Sequence, residues 1–118
     1  MSGRLDGWDK VAAFALSLPG TESGTTWRMP AIKVAANGRS FAWTGHEAET
    51  SFAVWLDPGT AEMLMETDPD TCWQSPHYAG SSAVLVRYSS EDSERVRYMI
   101  EQAYERAKAM KPVRSRKT

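Results

Sequence analysis

Residues 31–44 read Ala31-Ile32-Lys33-Val34-Ala35-Ala36-Asn37-Gly38-Arg39-Ser40-Phe41-Ala42-Trp43-Thr44. Asn37-Gly38 between two apolar, β-favouring runs predicts a hairpin with a type I′ turn, because both central residues of that turn need φ > 0. A two-residue turn fixes the register. Val34 is then opposite Phe41 and Ile32 opposite Trp43 on one face, with Lys33 opposite Ala42 on the other. The apolar face is assigned to the core, and Lys33 points away from it.

On the C-terminal side, residues 50–56 alternate. Phe52, Val54 and Leu56 fall on one side and Ser51, Ala53 and Trp55 on the other, which predicts a strand. Asp57-Pro58 supplies an N-cap and a proline at the first helical position. A helix then runs to about Thr67, with Ala61, Leu64 and Met65 inward, and Asp68-Pro69-Asp70 ends it. Residues 71–81 read as irregular, and 82–88 as the last clear strand. Val96, Met99, Ile100, Ala103, Tyr104 and Ala107 then form an unbroken stripe at helical spacing, closed by Pro112. On the N-terminal side, Trp8, Val11, Ala12, Ala15 and Leu16 make one face of a helix over 6–17, with Asp6 as its cap and Pro19-Gly20 as its stop. Strands flanked by helices predict an α+β fold, an antiparallel sheet with helices packed on one face. Residues 1–110 are read as one domain and 111–118 as a flexible basic tail.

Hydrophobic residues at 42% and charged residues at 25% exclude a wholly disordered chain. Cys72 is the single cysteine and can form no internal disulfide. Neither an apolar leader nor a bilayer-length apolar run is present, so a cytoplasmic location and no membrane contact are expected. The net charge of −1 is unevenly spread. Residues 1–105 hold 8 Lys/Arg against 15 Asp/Glu, whereas 106–118 hold six bases, beginning with Arg106, and no acid. Two interior stretches also lack acids: the one between Glu22 and Glu47, with Arg28, Lys33 and Arg39, and the one between Asp70 and Glu91, with Arg87.

Phosphate-loop, dinucleotide-binding, zincin and paired-cysteine motifs are all missing. His46 with Glu47 and Glu49 is one imidazole and two flexible carboxylates, which is no closed metal site. Cys72 and His77 are near in sequence, but a nucleophilic thiol needs a base in contact and an electropositive pocket, so a plain buried cysteine is expected. A non-enzymatic protein with no cofactor and no metal follows. Trp27, next to Arg28, either anchors its loop to the core or stacks on a nucleobase. The basic C-terminal run either contacts phosphates or simply solubilises a helix end.

Leu18-Pro19-Gly20-Thr21-Glu22, Trp27-Arg28-Met29-Pro30-Ala31-Ile32-Lys33-Val34 and Phe41-Ala42-Trp43 together resemble the YjbR (MmcQ/YjbR-like) family. Ser75-Pro76-His77-Tyr78-Ala79-Gly80 before Ala83-Val84-Leu85-Val86-Arg87 is similar to its second signature, and Ile100-Glu101-Gln102-Ala103-Tyr104 to its closing helix. Arg28 stands where that family often has a glycine. The resemblance implies a CyaY-like α+β architecture and a DNA-binding role through a double-wing motif. It directs attention to Trp27, Arg28, Lys33 and Arg39 in the first segment and to His77, Tyr78 and Arg87 in the second. Two roles are therefore expected: a monomeric module making weak, largely sequence-independent DNA phosphate contacts, or a non-catalytic domain for a small anionic ligand or a protein partner.

Overall fold

A computed structural model describes residues 5–45 and 49–112. The His46–Glu47 pair and the tail residues Arg114, Arg116 and Lys117 lie outside the described residues. The elements run α1 (Trp8–Leu16), β1 (Thr21–Thr26), β2 (Met29–Val34), β3 (Arg39–Trp43), β4 (Ser51–Trp55), α2 (Pro58–Thr67), β5 (Cys72–Trp73), a 3-10 turn (Pro76–Tyr78), β6 (Ala83–Arg87) and α3 (Ser93–Lys108). The strands form one antiparallel sheet in the order β1-β2-β3-β4-β6-β5. No helix among the described residues is long and apolar enough to cross a membrane.

The three helices cover one face. Val11 and Ala15 of α1, Ala61 and Leu64 of α2, and the α3 stripe from Val96 to Ala107 bury against Ile32, Val34, Phe41, Phe52, Val54, Val84 and Val86. Burial of this kind, at about 25 cal/mol per Å² of apolar surface, is the main stabilising term. Asp57 caps α2 as expected, accepting from the Thr60 amide at 3.1 Å, with Pro58 at the first turn. Cys72 lies in this layer, 3.4 Å from Met99 Sδ, and burial followed by the nearby Asp68 carboxylate pushes its thiol up to about 12. His77 sits in the 3-10 turn, while Cys72 is buried in the helix-side core, so the two do not form a nucleophile–base pair.

Four expectations need correction. The α1 N-cap is Gly7, not Asp6, whose carboxylate instead pairs with Lys10 at 3.0 Å; Leu16 is 42% exposed rather than inward. Residues 71–81 contain a short edge strand, β5. Thr21–Thr26 form β1, which sequence reading left unassigned because its exposed side chains show no apolar alternation.

The fourth correction concerns the hairpin. Val34 pairs with Arg39, Lys33 with Ser40, Ile32 with Ala42 and Ala31 with Trp43, with a register shift between Ile32 and Lys33. The turn is a four-residue loop in which Gly38 has φ +72°, and its amide donates to the Val34 carbonyl at 2.8 Å. Asn37 is used elsewhere. Its Nδ2 donates to the carbonyls of Ala107 (2.8 Å) and Met110 (3.1 Å), and its Oδ1 accepts from the Arg39 amide at 3.0 Å. The side chain thus satisfies the open carbonyls at the end of α3. We expect Asn37→Ala to destabilise the protein by about 1–2 kcal/mol in urea unfolding; an unchanged midpoint would show that these bonds contribute nothing net.

The bulge leaves Phe41 and Ala42 on the helix face and turns Trp43 to the opposite face. There a second core forms from Ala31, Trp43, Ala53, Tyr78, Ala83 and Leu85, with Met29, Trp55 and Trp73 packed against it.

Candidate functional site

The second core is covered on one side by the β1–β2 hairpin tip. Thr26 and Met29 pair, leaving Trp27 and Arg28 as a two-residue loop. Both have positive φ, 50° and 69°, the backbone of a type I′ turn without Asn or Gly. Non-glycine residues in that region cost of order 1–3 kcal/mol each and persist only where surrounding contacts over-determine them. Those contacts are visible. Trp27 meets Trp43 edge-on with ring centroids 6.0 Å apart, and Trp55 at 6.2 Å. Trp55 belongs to β4, two strands beyond β2, and the Thr26 hydroxyl hydrogen-bonds the Ser40 hydroxyl on β3. The tip therefore curls over the sheet. Pro30, which has no N–H for the ladder, and Gly24 lie at this bend. Trp27 nevertheless stays 61% exposed. It both anchors its loop and presents an aromatic surface.

Arg28 at φ 69° keeps a glycine-like conformation in a residue with a Cβ. Arg28→Gly should raise stability by roughly 0.5–1 kcal/mol, read as a higher urea midpoint; a lower midpoint would mean that the Arg28 side chain holds the turn.

Beneath the curled tip is a cavity of about 410 Å³. Lys33, Arg39, Ser40 and Trp55 of the sheet line it, together with Thr26 and Trp27 of the tip, Ser82, and Arg106 and Met110 at the end of α3. None of its lining residues is acidic. The nearest acid by register is Glu22, the cross-strand neighbour of Lys33. Yet Lys33 makes no ion pair among the described residues and lies across Gly24 instead, where an added Cβ would meet Cε at 3.3 Å. Glycine at 24 thus gives the lysine stem its path along the sheet. Arg39 is fixed by its Nε–H, which donates to the Lys111 carbonyl at 2.7 Å.

Of the seven residues singled out from sequence, the cavity gathers Trp27, Lys33 and Arg39, with Arg28 at the tip beside it. The others lie elsewhere. Tyr78 is 3% exposed, and its hydroxyl accepts from Trp43 Nε1 at 3.2 Å, so it supports the second core from below. His77 is exposed, its ring 4.8 Å from that of Tyr78 and perpendicular to it. Arg87 stacks on Trp73 at 4.9 Å and donates to the Pro69 and Asp70 carbonyls at 3.0 and 3.1 Å, at the other end of β4. Arg106 was read from sequence only as the start of the basic run; it is half-buried, one residue before the inward Ala107 of α3. No cluster of three or more His, Cys, Asp or Glu suited to a metal occurs among the described residues.

A six-stranded antiparallel sheet with three helices on one face defines an α+β fold. The YjbR family model matches residues 16–106, and the chain belongs to the YjbR family. It is similar to the crystal structure of Deinococcus radiodurans protein DR2400, described with a DUF419 domain, at a TM-score of 0.72 and 16% identity, over 88% of this chain and 80% of that one. At that identity the likeness concerns the fold. No curated protein matches the chain.

Proposed function

We propose that this protein is a non-catalytic module that binds nucleic acid through weak, largely sequence-independent phosphate contacts. Lys33, Arg39 and Arg106 take the phosphates, and Trp27 offers a stacking face to a base. One observation carries the reading: three cations from three elements meet in a cavity with no acid in its lining, beside a tryptophan held exposed at positive φ. Arg28, next to Trp27 in the same tip, adds a further positive charge to that loop. The acidic remainder of the body repels the long charged surface of a duplex, so a single strand is the favoured partner. The single cysteine supports a reducing compartment such as the cytoplasm.

Fluorescence anisotropy with labelled single-stranded and duplex DNA, at low and at physiological salt, tests this. The expected result is micromolar binding of the single strand that weakens steeply with salt, with a shift in tryptophan emission. Absence of binding to either form at low salt would overturn it. The alternative, a small anionic ligand, is favoured by the cavity volume of about 410 Å³, which lies within the usual range for small-molecule sites.

A further inference from the structure

We infer that the cavity takes a terminal phosphate monoester attached to a planar ring system, entered end-on, with the phosphate at Arg39 and Arg106 and the ring against Trp27. The inference rests on the binding reading above and deepens it. Lys33, Ser40 and Trp55 lie on the open face of the sheet. Arg106 and Met110 belong to α3, which packs on the opposite face. One cavity touching both reaches from the open face to α3 at the end of the sheet, where the β2–β3 loop meets the last turn of α3.

The strand pairing leaves a notch at that end. β3 and β4 share only two paired positions, Ala42 with Val54 and Trp43 with Ala53. Beyond them, toward Arg39 on one strand and Trp55 on the other, the ladder is open. This is also where the register shift displaces the start of β3. A terminal phosphate carries one ester substituent and an internal one two, so a chain end or a free nucleotide fits the space between these strand ends and α3 with less bulk.

The charges fit such an end group. A phosphate monoester carries about −1.5 to −2 at neutral pH, against −1 for a diester linkage. Three cations without an acid match the monoester better. The Arg39 guanidinium is pre-positioned, because its Nε is tied to the Lys111 carbonyl while its terminal nitrogens make no hydrogen bond among the described residues. Among the described residues Arg106 makes only a long contact, 3.7 Å, from Nη1 to Met110 Sδ. Planar guanidinium forks suit phosphate oxygens. The Ser82 hydroxyl, in the lining, supplies a further donor. Trp27 and Trp55 are too close, 6.2 Å and tilted 69°, to sandwich a ring between them, so the ring stacks on the exposed side of Trp27.

The test compares one short single-stranded oligonucleotide in three forms, 5′-phosphorylated, 3′-phosphorylated and unphosphorylated, by anisotropy at fixed salt. Adenosine 5′-monophosphate, adenosine and inorganic phosphate serve as competitors. The expected result is that one phosphorylated form binds about tenfold tighter than the unphosphorylated strand. Adenosine 5′-monophosphate should compete well below the concentrations needed of adenosine or phosphate. Arg106→Gln, at a half-buried helix position and checked by thermal melting, should cut the preference to about twofold or less. A strand end that outcompetes the mononucleotide identifies nucleic acid as the source; equal competition identifies a free nucleotide. Equal affinity for all three strands would overturn this inference and leave the backbone-binding reading standing. Binding of the mononucleotide without any strand would overturn only the nucleic-acid reading. Full preference retained in Arg106→Gln would refute the placement of the phosphate.

Discussion

Alanine at Lys33, Arg39 and Arg106 together is expected to weaken single-stranded DNA binding by at least about tenfold at low salt and to flatten its salt dependence. Each phosphate contact releases a condensed counterion, giving a slope of about −0.7 per contact for single strands in a plot of log affinity against log salt. Losing three contacts should therefore make the slope shallower by about 2. The slope is the better readout, because a merely structural change would lower affinity without altering the number of ions released. Folding should survive. The three are surface or half-buried, and the main loss is the Arg39–Lys111 hydrogen bond at the end of α3, worth about 1 kcal/mol. An unchanged slope in a folded triple variant would remove these residues from the interface. Trp27→Ala in the same assay should reduce affinity while keeping the slope, since stacking releases no ions.

Trp43→Ala should be among the most damaging single substitutions in the chain, costing about 3–5 kcal/mol. Trp43 is fully buried, and its indole packs at 5.0 Å on Trp55 and 6.1 Å on Tyr78. Its removal opens a cavity beneath the curled hairpin and leaves the buried Tyr78 hydroxyl without its donor. Against a total stability of about 5–15 kcal/mol, a loss of this size would leave a substantial unfolded fraction. Trp43→Phe should cost less, since it keeps much of the ring volume and loses the hydrogen bond. Urea unfolding of both variants checks this. A loss under about 1 kcal/mol for Trp43→Ala would show that the open face has no true core.

Much of the architecture was legible because it rests on periodicity. The α3 stripe, the alternation across Ser51–Trp55 and the Asp57-Pro58 start all depend on local rules that tertiary contacts did not override. The two hairpin turns are where local rules misled. Asn37-Gly38 has the composition of a type I′ turn and is not one, because a helix end seventy residues away in sequence takes the Asn37 amide. Trp27-Arg28 lacks that composition and adopts the backbone, because contact with two other tryptophans offsets the conformational cost. β1 was invisible for a related reason. Its side chains face solvent, and its place is set by the strand it pairs with. The site was half legible. The family resemblance pointed to Trp27, Lys33 and Arg39, which converge, and also to His77, Tyr78 and Arg87, which do not share the cavity. Arg106 was hidden inside a basic run, because helical phase alone does not reveal which strands will part in front of it.

The tie between Asn37 and the last turn of α3 has a consequence for synthesis. Tyr104 makes a similar tie, its hydroxyl donating to the Pro19 carbonyl at 2.6 Å. Both reach from the first third of the chain to its final helix, and α3 also supplies six buried side chains to the helix-side core. A ribosome-bound chain stopped before residue 93 therefore carries every strand but lacks the longest of the three helices that cover one side of the sheet, and Phe41, which packs on Tyr104 of that helix, stays accessible to chaperones. Folding in the cell must wait for the last helix to clear the exit tunnel, and it then proceeds through contacts of long sequence separation, which close slowly.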